Sequence, residues 1–169
     1  YDILEFRRED GVDLTFVIAA PGGAATFVGN GTEVTDVEEF EIDLEGGNHT
    51  LTLGDGDDRI VTHEGNDVID AGGGNDFIFN VRGRDTIDAD AGDDYIELIS
   101  TGAITDLPDE VDGGAGFDIF EYLPGIGAGP VTFIVTDTAA VTEFVGQGTT
   151  VTNVEQFDLT LESSADTVT

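Results

Sequence analysis

The segment LGDGDDRIVTHEGNDVIDAGGGNDFIF (Leu53–Phe79) is three nine-residue units laid end to end. Each unit has glycine at its fourth position (Gly56, Gly65, Gly74), aspartate at its sixth (Asp58, Asp67, Asp76) and isoleucine at its eighth (Ile60, Ile69, Ile78). A helix tolerates this density of glycine poorly. A conventional sheet does not tolerate carboxylates packed this closely unless something neutralises them. Worked outward, the same register runs from Leu44 to Glu97, adding Gly47, Gly83 and Gly92, Asp85 and Asp94, and Leu51, Ile87 and Ile96. His49 takes the aspartate position of the first unit. A further unit, GGAGFDIFE (Gly113–Glu121), repeats the pattern around Gly116 and Asp118. The degraded unit before it keeps Asp109 and Val111, with a short insertion expected at about 98–103.

Glycine, Asn and Asp at positions one to six are turn chemistry. Positions seven to nine make a very short strand whose middle residue points inward and whose neighbours point outward. Two units then close one coil, turn–strand–turn–strand, and stacked coils form parallel sheets around a column of Ile side chains. Alternate turns fall on the same edge. Asp67 therefore faces Asp85 on one edge, while Asp58, Asp76 and Asp94 line up on the other. Like charges at that spacing repel. A calcium ion resolves the conflict, because it takes about six to eight oxygens from carboxylates and backbone carbonyls together. Magnesium demands a tighter octahedron, and zinc would want His or Cys. The expected ligands are Asp58, Asp67, Asp76, Asp85, Asp94, Asp109 and Asp118. Turn glycines would contribute alongside them: Gly54, Gly56, Gly65, Gly72, Gly74, Gly83, Gly92, Gly114 and Gly116. The acids at Asp55, Asp57, Asp70, Asp88 and Glu97 read as a solvated outer face. His49 reads as the end of an aspartate column rather than a ligand. Arg82 and Arg84 either stand exposed or pair with aspartates of the column.

Composition bounds the function. The chain has 169 residues, 37 Asp and Glu against five Arg, no Lys, and a formal net charge of −32. Nucleic-acid binding needs the opposite sign, and an anionic membrane surface would repel the chain. There is no cysteine, so no disulfide framework, and no apolar run long enough for a membrane-spanning helix. No Ser–His–Asp, Cys–His or phosphate-loop pattern is present, so any enzymatic activity would reside in a domain outside this chain. A longer period of about 116–117 residues is also visible: TFVGNGTEVTDVEEFEIDLE (Thr26–Glu45) matches EFVGQGTTVTNVEQFDLTLE (Glu143–Glu162). Tyr1 falls inside a nonapeptide, so the chain reads as cut from a tandem array.

The pattern G-G-x-G-x-D-x-U-x, carried most fully by AGGGNDFIF (Ala71–Phe79) and GGAGFDIFE, resembles the RTX (repeats-in-toxin, hemolysin-type calcium-binding) family. The resemblance covers roughly residues 44–121, with a remnant at Tyr1–Glu5. It implies an all-β, right-handed parallel β-roll solenoid holding several calcium ions in its turns. The expected layout is one solenoid, 1–169, with flanking β coils at 1–43 and 122–169 around the calcium tract, 44–121. In the flanks Phe40 and Phe157 are expected to occupy the carboxylate position. Phe16, Phe27, Phe40, Phe133, Phe144 and Phe157 are expected in the core. Such modules belong to large bacterial proteins exported by type I secretion, so the resemblance implies a secreted or cell-surface location and a calcium-triggered structural role. A second reading is recognition of extracellular polysaccharide or a surface partner, for which Phe77, Phe79 and Tyr95 are the outward aromatics.

Overall fold

The computed structural model describes residues 3–8, 15–18, 25–28, 33–34, 38–100, 109–124, 132–134, 142–145, 149–160 and 167–168. The regular elements there are all strands: β1 (Ile3–Arg8), β2 (Thr15–Ile18), β3 (Ala25–Val28), β4 (Glu33–Val34), β5 (Glu39–Leu44), β6 (Thr50–Thr52), β7 (Arg59–Thr62), β8 (Val68–Asp70) and β9 (Phe77–Val81), followed by β10 (Thr86–Asp88), β11 (Tyr95–Ser100), β12 (Glu110–Asp112), β13 (Ile119–Pro124), β14 (Thr132–Ile134), β15 (Thr142–Val145), β16 (Thr150–Thr152), β17 (Gln156–Leu159) and β18 (Thr167–Val168). Sheet A runs β1-β5-β7-β9-β11-β13-β17 and is parallel throughout. Sheet B runs β18-β14-β15-β16-β12-β10-β8-β6-β2-β3-β4. Successive strands of the tract alternate between the sheets, as a nine-residue half-coil requires. The fold is a parallel β-roll.

The inward column follows the expected alternation. Leu51, Ile60, Ile69, Ile78, Ile87, Ile96, Val111 and Phe120 are all buried, and Ile60 pairs in register with Ile78, which pairs with Ile96. A second inward column was not anticipated. Position one, assigned above to the turn, is the next inward step of the strand: Leu44, Leu53, Thr62, Ala71, Asn80, Ala89, Leu98 and Tyr122 are buried too. Its apolar members were the available signal. The residue between two inward positions must point outward, so alternation carries the strand one step beyond the three-residue reading.

Three expectations about the flanks change. First, the flanking segments are not simple parallel coils: β2–β3–β4 and β14–β15–β16 pair antiparallel at the two sides of sheet B. Second, the insertion begins after Leu98. That residue lies in β11, buried and paired with Tyr122, and the coil repeat widens from 18 to 24 residues across this turn. Third, Phe157 does not take a carboxylate position. It pairs with Phe120 of the inward column, and Glu155 stands where Asp118 is repeated. Phe40 does sit there, one coil below Asp58. Phe16 and Phe40 are buried against each other with ring centroids 5.5 Å apart, and Phe157 packs on the core beside Phe120 at 6.2 Å. The side chains of Phe27, Phe133 and Phe144 lie outside the described residues.

Candidate metal centre

The turns stack along two edges. Turns 44–49, 62–67 and 80–85 make the first edge, which continues to Asp109. Turns 53–58, 71–76, 89–94 and 113–118 make the second. Position-six aspartates form a ladder on each. On the second edge, Asp58 Oδ1 accepts from Phe40 N (2.8 Å), Asp76 Oδ1 from Asp58 N (2.7 Å), Asp94 Oδ1 from Asp76 N (2.8 Å) and Asp118 Oδ1 from Asp94 N (2.9 Å). On the first edge, Asp67 Oδ1 accepts from His49 N (2.8 Å), Asp85 Oδ1 from Asp67 N (2.7 Å) and Asp109 Oδ1 from Asp85 N (3.0 Å). Every expected aspartate is therefore buried and in line.

One oxygen of each carboxylate is committed to the backbone of the coil below. The other is the notable one. Oδ2 of Asp58, Asp76, Asp94 and Asp118 is buried without a hydrogen-bond partner. A buried unsatisfied carboxylate oxygen is expensive. Four of them on one edge, one coil apart, fit a series of hard cations bound by oxygen.

Gly72, Gly74 and Gly114 adopt the positive φ expected of turn glycines (+93°, +127° and +90°), and the glycines have a second job as well. A Cβ on Gly56, Gly65, Gly74, Gly83, Gly92 or Gly116 would sit 1.5–2.2 Å from the backbone carbonyl oxygen of the coil below, Glu38 O under Gly56 and position-four carbonyls under the rest. The fourth position is glycine because a carbonyl occupies the space of its side chain. Gly72 and Gly114 are placed in the same way over Gly54 O and Asp90 O. Carbonyls of Gly54 and Gly72 also accept backbone bonds from Gly73 and Ala91. Turns and carboxylates thus form one oxygen-lined edge. Among the described residues, no group of three or more His, Cys, Asp or Glu side chains could hold a metal unaided. Backbone oxygens must complete any site, which suits calcium.

A second ladder was missed. Position five runs in the opposite direction: Asn75 N donates to Asp57 Oδ1, Asp93 N to Asn75 Oδ1 and Phe117 N to Asp93 Oδ1 on the second edge, and Asn66 N to Asn48 Oδ1 and Arg84 N to Asn66 Oδ1 on the first. Asp57 is exposed as expected, yet it ties two coils together. Arg82 pairs with Glu64 one coil below rather than with a column aspartate. His49 is buried beneath Asp67, with both ring nitrogens lacking hydrogen-bond partners.

Burial lifts the position-six carboxyls well above the usual 3.8: Asp58 and Asp85 to about 7, Asp76 to about 8 and Asp94 to about 6, with Asp118 also raised. Donated backbone N–H groups pull the other way, and neighbouring carboxylates add to the rise. On the outer face of sheet B, Asp70 and Asp88 are raised by partial burial first and by nearby aspartates second. The metal-free fold therefore binds more protons than the unfolded chain between these values. Its carboxyls favour folding fully below 3.8 and lose that contribution as pH rises through about 6 to 8. In chelator, β-sheet circular dichroism is expected to grow as pH falls from about 8 to about 4. A signal that stays flat or falls would contradict these burials.

A family model, RTX calcium-binding nonapeptide repeat, matches residues 45–80 and 82–98 in four copies. No curated protein and no solved structure matches the chain. The described roll continues past the family match, since Asp109 and Asp118 extend both ladders.

Proposed function

We propose, from the match of residues 45–80 and 82–98 to RTX calcium-binding nonapeptide repeats, that the chain is a calcium-folded structural module of a larger secreted bacterial protein. It would remain extended where calcium is scarce and fold into the roll outside the cell. The observation that carries this is the row of buried, unpartnered Oδ2 atoms at Asp58, Asp76, Asp94 and Asp118. Calcium supplies the positive charge that lets these carboxylates remain ionised and buried. The chain's own residues supply the rest: Oδ1 fixes each carboxylate on the coil below, and glycine lets the turn carbonyls approach. No helix of the described residues is long and apolar enough to cross a membrane.

The aromatic row on the outer face of sheet A lends no weight to a polysaccharide-binding role. Phe77 and Tyr95 stack on each other with centroids 5.5 Å apart and rings within 4° of parallel. The Arg59 guanidinium covers Phe77 at 5.5 Å, from the strand on the other side. The Tyr95 hydroxyl donates to Glu121. The Phe77 ring thus spends both faces within the sheet, and Tyr95 spends one on Phe77.

The test is a calcium titration followed by circular dichroism on two variants. Asp76→Asn keeps an acceptor for Asp58 N but removes charge between two neighbouring carboxylates. Asp118→Asn does the same at the last turn of the tract. The midpoint is expected to rise on the order of tenfold for Asp76→Asn and less for Asp118→Asn, because ligand charge tunes calcium affinity. Equal shifts would refute the stacked arrangement, and no shift in either would refute the calcium role.

A further inference from the structure

The two edges of the roll are not equivalent. On the second edge, position one ahead of each turn is apolar: Leu53, then Ala71, Ala89 and Gly113. None can bond a carboxylate through its side chain. The turns there are joined by several backbone bonds, Gly74 N to Ala91 O, Ala91 N to Gly72 O, Gly92 N to Ala115 O and Ala115 N to Asp90 O, against Gly65 N to Arg82 O on the first edge. On the first edge, the equivalent positions hold Leu44, then Thr62 and Asn80, all buried. The Asn80 amide donates to Thr62 Oγ1 at 2.8 Å, tying this turn to the coil below through buried side chains.

The rest of the 80–85 turn departs in the same direction. Val81 and Arg82 replace residues that are glycine in turn 71–76. The RTX match breaks at position 81. Arg82 adopts φ +63°, a left-handed conformation that disfavours a side chain. Its guanidinium pairs with Glu64 across the edge. Arg84 takes the Asx position, so the position-five ladder has no side-chain acceptor to extend beyond it. Above, Asp109 Oδ2 accepts from Thr149 Oγ1 at 3.2 Å.

We propose that turn 80–85 is a built-in break in the first-edge calcium column, closed by Arg82 and its pair with Glu64, so that only the second edge carries an uninterrupted row of calcium sites. A guanidinium held on the edge by a carboxylate of the coil below repels an approaching cation, and Val81 and Arg82 remove the glycines that let turn carbonyls converge. Calcium would then fill the second edge first and drive folding from that side. This inference rests on the calcium reading of the module.

Two measurements test it, using bound calcium counted after equilibrium dialysis and by calorimetry. Asp85→Asn retains a backbone acceptor and should leave the number of bound ions unchanged, whereas Asp76→Asn should lower it. A rebuilt turn, Asn80→Ala with Val81→Gly, Arg82→Gly and Arg84→Asn, copies turn 71–76 and should raise the count by about one, since a calcium ion needs oxygens from two stacked turns. Loss of calcium in Asp85→Asn equal to that in Asp76→Asn would overturn the break while leaving the calcium reading intact. Unchanged binding in both single variants would overturn the calcium reading itself. An unchanged count in a folded rebuilt variant would also overturn the break.

Discussion

In excess chelator at neutral pH, the chain is expected to lose most of its β-sheet circular dichroism and to regain it cooperatively as calcium is restored. The physical case starts from charge. A net charge of −32 on 169 residues opposes any compact state. The roll adds to that cost by burying aspartates one coil apart, at a strand spacing of about 4.8 Å. The opposing terms are modest. Tract strands such as β6, β8, β10 and β12 have three residues each. The core is two columns of side chains between two sheets, and nothing in the described residues covers the sheets from outside. Such a core cannot hold ionised carboxylates in place without a counter-charge. Refolding is expected at roughly 10⁻⁴–10⁻³ M calcium, the range of extracellular modules. Magnesium at equal concentration should do far less. A β spectrum indifferent to chelator would overturn the reading.

Gly92→Ala is the most damaging single substitution expected. Its Cβ would lie 1.5 Å from Gly74 O and 2.5 Å from the Gly74 carbonyl carbon. Both obstacles are backbone, so no rotamer change relieves the overlap. The coils must separate there, which endangers the Gly74 N to Ala91 O bond and the Asp76 N to Asp94 Oδ1 rung of the ladder. The cost is expected at about 3 kcal/mol or more, with calcium midpoint and cooperativity both degraded. Gly73→Ala is the control in the neighbouring turn. Its Cβ would meet nothing closer than 3.5 Å, and Ala91 and Ala115 already occupy the equivalent place in the next two turns. Its effect should be within about 0.5 kcal/mol. Thermal or denaturant unfolding in saturating calcium compares the two. Similar losses would mean that glycine serves only turn flexibility and not the approach of coil to coil.

What the sequence determined by itself was everything governed by its own period. Nine residues per half-coil assigns each strand to a sheet and each aspartate to an edge, and strand alternation turns the Ile column inward. That is why Asp58, Asp76 and Asp94 could be placed on one edge and Asp67 and Asp85 on the other. The tertiary structure decided whatever depends on the residue one coil away. Whether Gly92 is needed for its φ or for its missing Cβ depends on where Gly74 O points. Whether Asp57 is merely solvated depends on Asn75 N above it. Phe40 and Phe157 have the same local sequence, and each pairs with the inward residue of the strand before it, Leu4 and Phe120; that Phe40 also lies beneath Asp58 comes from the coil stacked above it. Asn80 looks like an ordinary turn residue until its buried amide reaches Thr62 one coil below. Local pattern fixes direction and spacing along the chain, but hydrogen-bond partners and steric limits in a stacked roll come from across the stack.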